Sequence, residues 1–363
     1  MEASAALVQA LLIILFVGGL SLLAQWGRKN RGAEIGLIVI LLFFSFLVVA
    51  LGVTIALVGP SGSAPTLGLP PELSASAAAV VTLAGLAGLA LCVPPLRKVA
   101  GRRETAGRGA VAPDPEGFAS MGQPSEAGVF AIRWSDPPTF FGLWMSVVVL
   151  ASNVVGLMIF ALKPDAVALA LTAAGRISPF TIFISQFPFV VVALLGVGLG
   201  VQRSFRQTLA RLGYASVTLR QLRVVVLFVA GAFLLSLAAD ALFAALQPEL
   251  YERVGKISEG LFNPQGLTTF SAILFALSVG IGAGLGEETL FRGAVQPALG
   301  IVLASVLWTS MHIQYGPSIL LGYIFILSLG LGFLRRRINT TASFLAHAGY
   351  NSLGVLLAYF LGI

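Results

Sequence analysis

Three short stretches in the last quarter of the chain hold residue types that can do chemistry. The first is Gly286-Glu287-Glu288-Thr289-Leu290-Phe291-Arg292-Gly293, the second Trp308-Thr309-Ser310-Met311-His312, and the third His347-Ala348-Gly349-Tyr350-Asn351. The chain has 2 histidines, and they anchor the second and third stretches. All three stretches lie on or beside apolar runs, where an ionisable group is costly and usually has a specific reason to be there.

Spacing narrows what each stretch can do. Glu288 and Arg292 are four apart, so on a helix they share a face and pair, which holds Glu288 ionised and fixed. Glu287 points about 100° around the helix from Glu288 and is left to act as a general base. The plainer alternative is an ion pair that only holds helices together. His347 and Asn351 are also four apart and face one way. A neutral imidazole and an amide can each donate to a developing oxyanion, although the same pair also serves as packing glue between membrane helices. His312 by itself would more often be an interior histidine than a catalyst. Together the stretches supply a base, a water-orienting histidine and an oxyanion donor pair, the parts needed to add water to a peptide carbonyl. Just before the carboxylates, Gly280, Gly282, Gly284 and Gly286 recur at a spacing of four, so another backbone can approach closely.

These residues must be held by helices in lipid. Hydrophobic residues make up 57% of the 363, charged residues only 10%, and the mean hydropathy is +0.95. A soluble domain would carry roughly a quarter charged residues, so lipid is the solvent for most of this chain. A hydrocarbon core about 30 Å thick needs about 20 apolar residues to cross it. Runs of that kind fall near 5–24, 35–58, 76–93, 140–162, 180–201, 224–246, 268–285, 298–311, 318–334 and 341–361, the eighth being short. The expected fold is all-α, a polytopic transmembrane helical bundle of about ten spans.

Loop charge orients that bundle. Arg28, Lys29 and Arg31 follow the first run, and Arg97, Lys98, Arg102, Arg103 and Arg108 the third. Arg203, Arg206, Arg211, Arg220 and Arg223 separate the fifth from the sixth, and Arg335, Arg336 and Arg337 follow the ninth. If every run crosses once, all four clusters fall on the cytoplasmic side and both termini outside. The net charge of +7 thus reads as loop charge, and no basic helix or aromatic-interleaved groove points to nucleic acid. The single cysteine, Cys92, excludes an internal disulfide and reads as a small buried hydrophobe. Glu2 and the lack of Lys or Arg before the first run argue against a signal peptide. Residues 97–138, polar and rich in Gly, Pro and charge, read as a flexible cytoplasmic linker between a three-helix N-terminal unit (1–96) and a seven-helix remainder (139–363).

Glu287-Glu288-x-x-x-Arg292, an aromatic Trp308 four before His312, and His347-x-x-x-Asn351 resemble, in order and spacing, the three signature motifs of the CAAX-protease and bacteriocin-processing family of intramembrane endopeptidases. The motif core is about 268–355, and 140–246 supplies the preceding family helices. The resemblance implies that Glu287 activates water with help from His312, that Arg292 fixes Glu288, and that His347 and Asn351 stabilise the tetrahedral intermediate. Two departures stand out. Trp308 replaces the usual Phe, and the eighth core helix of the CAAX-processing members would follow the His–Asn helix, where this sequence stops at Ile363. The implied substrate is a membrane-anchored, lipidated or C-terminally tailed protein or peptide precursor, met within the lipid bilayer. The basic, alanine- and glycine-rich chain reads as a bacterial inner-membrane protein, and bacteria generally lack prenylated CAAX proteins. Trimming of C-terminal tails, peptide precursors or regulators is therefore expected ahead of CAAX maturation.

Two questions stay open at this level. Glu287, His312 and His347 could hold zinc, which takes three protein ligands plus water in hydrolases. The familiar zinc helix, however, places two histidines four apart, whereas here they lie on different runs. A metal-free glutamate mechanism with no cofactor is the favoured reading. The rival functions are a non-catalytic immunity factor or scaffold and, less well supported, a transporter, for which inverted repeats are expected and none is visible.

Overall fold

A computed structural model describes residues 2–59, 70–93, 135–173 and 175–362. Among them it forms thirteen helices and no strand. Nine are long and apolar enough to cross a membrane: α1 (Ala6–Gly27), α2 (Arg31–Val58), α3 (Pro71–Cys92), α4 (Pro137–Leu162), α6 (Pro179–Gly196), α8 (Leu219–Leu246), α10 (Thr269–Leu299), α12 (Ile319–Arg337) and α13 (Thr340–Leu361). The other four are α5 (Pro164–Thr172), α7 (Phe205–Leu212), α9 (Pro248–Phe262) and α11 (Ile301–Ser310). The polytopic helical bundle read from the sequence is therefore the observed fold.

The chain marks its own helix starts. Asn30, Ser178, Ser204, Thr218, Thr268 and Asn339 each accept a hydrogen bond from a first-turn amide, as N-caps do. The greater part of the expected linker, 97–134, lies outside the described residues. Its last two prolines, Pro137 and Pro138, instead form the first turn of α4, where a missing N–H costs nothing.

The eighth run departs most from expectation. It yields only the ten residues of α11, about 15 Å of helix at 1.5 Å per residue and half the hydrocarbon core. The segment 311–318 then carries the chain to the start of α12. Near one end of α11, Gln296 Nε2 donates to Gly332 O at 2.9 Å. Beyond its other end, Gly316 (φ +58°) lies against the Phe160 ring and Ile319 N donates to Gln247 Oε1 at 3.0 Å. The helix itself ends at Ser310, and Gly316 closes the single 3-10 turn Ile313–Tyr315 that follows it.

The described basic clusters gather at one end of the bundle. Arg28 pairs with Asp136 at 2.7 Å, Arg211 Nη1 donates to Gly293 O at 3.3 Å, and Arg335 Nε donates to Arg292 O at 3.2 Å. Cluster 97–108 lies outside the described residues. Reporter fusions at Ala112 and Ile363 are expected to report opposite sides, because seven crossings separate them (α4, α6, α8, α10, α11 with its turn, α12 and α13). The same side for both would break this count.

The N-terminal helices are packed onto the rest. Leu20 and Ala24 of α1 share a buried cluster with Leu37, Leu41, Cys92, Phe140, Phe141 and Trp144. Inside it Trp144 Nε1 donates to Ser45 Oγ at 2.7 Å. Helix α10 sits at the centre, packed against α6 on one side and α13 on the other. The glycine run explains how both approach so closely. A Cβ on Gly280 or Gly284 would meet Ala348 of α13, and one on Gly282 or Gly286 would meet Ile182 or Gln186 of α6.

Candidate active site

The apolar run expected to end at residue 285 continues as helix through the motif to Leu299. From Glu288 to Val295 the turns widen into a π-helix, a distortion found disproportionately at functional sites. That segment puts two consecutive carboxylates into different surroundings. Glu288 is fully buried, at 0% exposure, and Arg292 is 1% exposed. Arg292 Nε stands 3.2 Å from Glu288 Oε2, and its Nη2 donates to Ser328 Oγ at 3.0 Å. The guanidinium lies 4.8 Å over the Trp308 ring. Glu288 Oε1 faces His347 Nδ1 at 2.9 Å. One buried carboxylate thus joins a cation on its own helix to a histidine on α13.

Glu287 is only half-buried. Trp308 Nε1 donates to its Oε2 at 2.5 Å, and Gln186 Nε2 lies 3.4 Å from its Oε1. Trp308 also touches both histidines, with ring centroids 4.5 Å from His312 and 5.6 Å from His347. The second stretch therefore stands beside the first and the third.

Hydrogen bonding constrains each imidazole. His312 Nδ1 is 2.9 Å from Trp308 O; a carbonyl only accepts, so Nδ1 carries the proton and Nε2 offers a lone pair. His312 is half-buried and stacks on Tyr315 with planes 13° apart. His347, 5% exposed, presents Nδ1 to a carboxylate, so its Nε2 donates only from the imidazolium form. The sequence reading, in which a neutral His347 donates to an oxyanion, does not fit this contact. Asn351 is half-buried one turn further along α13.

Among the described residues, no group of three or more His, Cys, Asp or Glu side chains is placed to hold a metal ion. Glu287, His312 and His347, the zinc set the sequence allows, do not fit one as arranged. Both Glu287 oxygens face side-chain N–H donors, and no step below passes through a metal.

Sequence reasoning missed two contributors, Gln186 and Ser328. Gln186 is an amide inside an apolar run, and such amides commonly bond across membrane helices. Ser328 left no signal beyond one hydroxyl in α12. Trp308 stood out as an aromatic, but its role as a donor to Glu287 depends on how α11 meets α10.

Fold and site together define a multi-pass helical membrane protein with a carboxylate–histidine centre held between its helices. Residues 269–353 match the family model Rce1-like, described as type II CAAX prenyl endopeptidase Rce1-like. The matched segment contains all three stretches and agrees with the resemblance drawn from them. No curated protein and no solved structure matches the chain.

Proposed function

We propose that this protein is an intramembrane endopeptidase that uses a glutamate-activated water to cut a membrane-anchored protein or peptide precursor. One observation carries the reading: Glu288 is sealed and paired, whereas its neighbour Glu287 is half-buried beside a histidine with an available lone pair. Two neighbouring carboxylates held in different surroundings are the usual mark of divided roles.

In this reading water lies between Glu287 and His312 Nε2. Glu287 takes one proton as the water oxygen bonds to the scissile carbonyl carbon. The resulting oxyanion accepts hydrogen bonds from Asn351 Nδ2 and from His347 Nε2 in its imidazolium form, whose charge Glu288 balances. As the C–N bond breaks, the proton on Glu287 passes to the departing amine, and the carboxylate is restored. Trp308 and Arg292 do not touch the reacting atoms; they hold Glu287 and Glu288.

The substrate is read as a lipidated or C-terminally tailed protein at a bacterial inner membrane. The experiment compares membrane proteomes of cells carrying the intact protein or Glu287→Gln, looking for trimmed C-terminal or transmembrane-adjacent peptides that need the intact copy. Identical proteomes would favour the scaffold or immunity reading. A second measurement addresses metal. Exhaustive chelation of purified protein is expected to leave cleavage unchanged. Stoichiometric zinc whose removal abolishes cleavage, and whose return restores it, would replace the metal-free mechanism.

A further inference from the structure

We propose that Gln186 on α6 is a positioning residue that clamps the Glu287 carboxylate from the side opposite Trp308; this rests on the reading of Glu287 as the base. Three observations converge on it. First, its Nε2 is directed at Glu287 Oε1 across 3.4 Å, while Trp308 Nε1 holds Oε2 at 2.5 Å. Each oxygen thus has one donor, and the longer contact leaves Oε1 the better placed to receive a proton from water. Second, α10 carries a slot for this side chain. A Cβ on Gly286 would collide with Gln186 Oε1 and stand 2.8 Å from its Cβ. The residue just before the base is therefore small where the amide passes.

Third, the amide has a buried atom left over. Gln186 Oε1 has no hydrogen-bond partner among the described residues, and a buried acceptor left unmade is costly. Turning the amide over would not relieve this, since it would set Oε1 against the Glu287 carboxylate and leave Nε2 on Gly286. The observed orientation gives up one acceptor to deliver a donor to Glu287. A glutamine serving only helix packing has no reason to accept that exchange. Titratable groups within electrostatic reach of Glu287 include Arg292 on its own helix, His312 after α11 and Tyr315 before α12. Gln186 is the contact that ties the base to α6.

The test uses the full chain in lipid nanodiscs and two readouts. Infrared difference spectra between the intact protein and Glu287→Gln identify the Glu287 carboxylate stretch without any substrate. Gln186→Met keeps length and packing but removes the donor. It is expected to shift that band, and the band assigned by Glu288→Gln is expected to stay in place. With a farnesylated CAAX-type peptide as probe, Gln186→Met is expected to lower kcat about tenfold with KM little changed, as a small misplacement of a reacting group does. Added to Glu287→Gln it should cause no further loss, because both changes act on one contact. Gly286→Ala, which crowds the amide, should move the same band. An unmoved Glu287 band in Gln186→Met, or losses that simply add, would overturn the proposal. Failure of the intact protein to cut the probe would exclude CAAX-type peptides from its substrates, while the infrared result would still decide the clamp.

Discussion

Glu287→Gln is expected to lower hydrolysis by ~10² or more while leaving expression and membrane insertion unchanged. The amide keeps the shape of the carboxylate but has no site to take the proton of the attacking water. It still presents an oxygen to Trp308 Nε1, and the site is half-buried, so the fold loses little. A neutral amide is also easier to hold near lipid than a carboxylate. The measurement is cleavage of the native substrate by purified variant and intact protein at matched amounts. Full activity in the variant would remove Glu287 as the base, and His312, which meets the same Trp308 side chain, would become the candidate.

The separation between a half-buried and a sealed carboxylate was partly legible in the sequence. The four-residue spacing of Glu288 and Arg292 predicts a shared helix face, and the two side chains do stand 3.2 Å apart. The glycine pattern predicts close helix approach, and α6 and α13 use it on opposite sides of α10. Periodicity could not show that Glu288 also reaches His347, 59 positions away. That contact depends on how α13 docks on α10, and it changes the chemistry open to His347. The helix carrying the motif was read too short for a related reason. Charged residues end an apolar run on paper, whereas Glu288 and Arg292 are tolerated at depth because each meets a partner there. The eighth run was read too long because hydropathy does not register that Gly300, at φ +88°, breaks the helix and leaves 298–299 to α10.

The second large effect belongs to the sealed pair. Arg292→Leu is expected to destabilise the protein by about 3–5 kcal/mol, since it leaves Glu288 as a buried carboxylate without its cation. Glu288 is fully buried, and its other contact, His347, balances the charge only in its imidazolium form. Glu288→Leu should do comparable harm by stranding Arg292, whose remaining side-chain contacts are the Ser328 hydroxyl and the Trp308 ring. The double variant Glu288→Leu/Arg292→Leu separates stability from function. Replacing a buried pair by apolar side chains of similar size is often close to neutral, so the fold should recover much of what either single change loses. Activity should not recover with it. His347 then has no carboxylate at Nδ1, its imidazolium form loses the balancing charge, and donation from Nε2 to an oxyanion fails. Thermal unfolding in detergent and cleavage at matched folded amounts measure the two quantities separately. A double variant that regains both stability and activity would reduce Glu288 and Arg292 to a structural bolt, and would take from His347 the role assigned to it here.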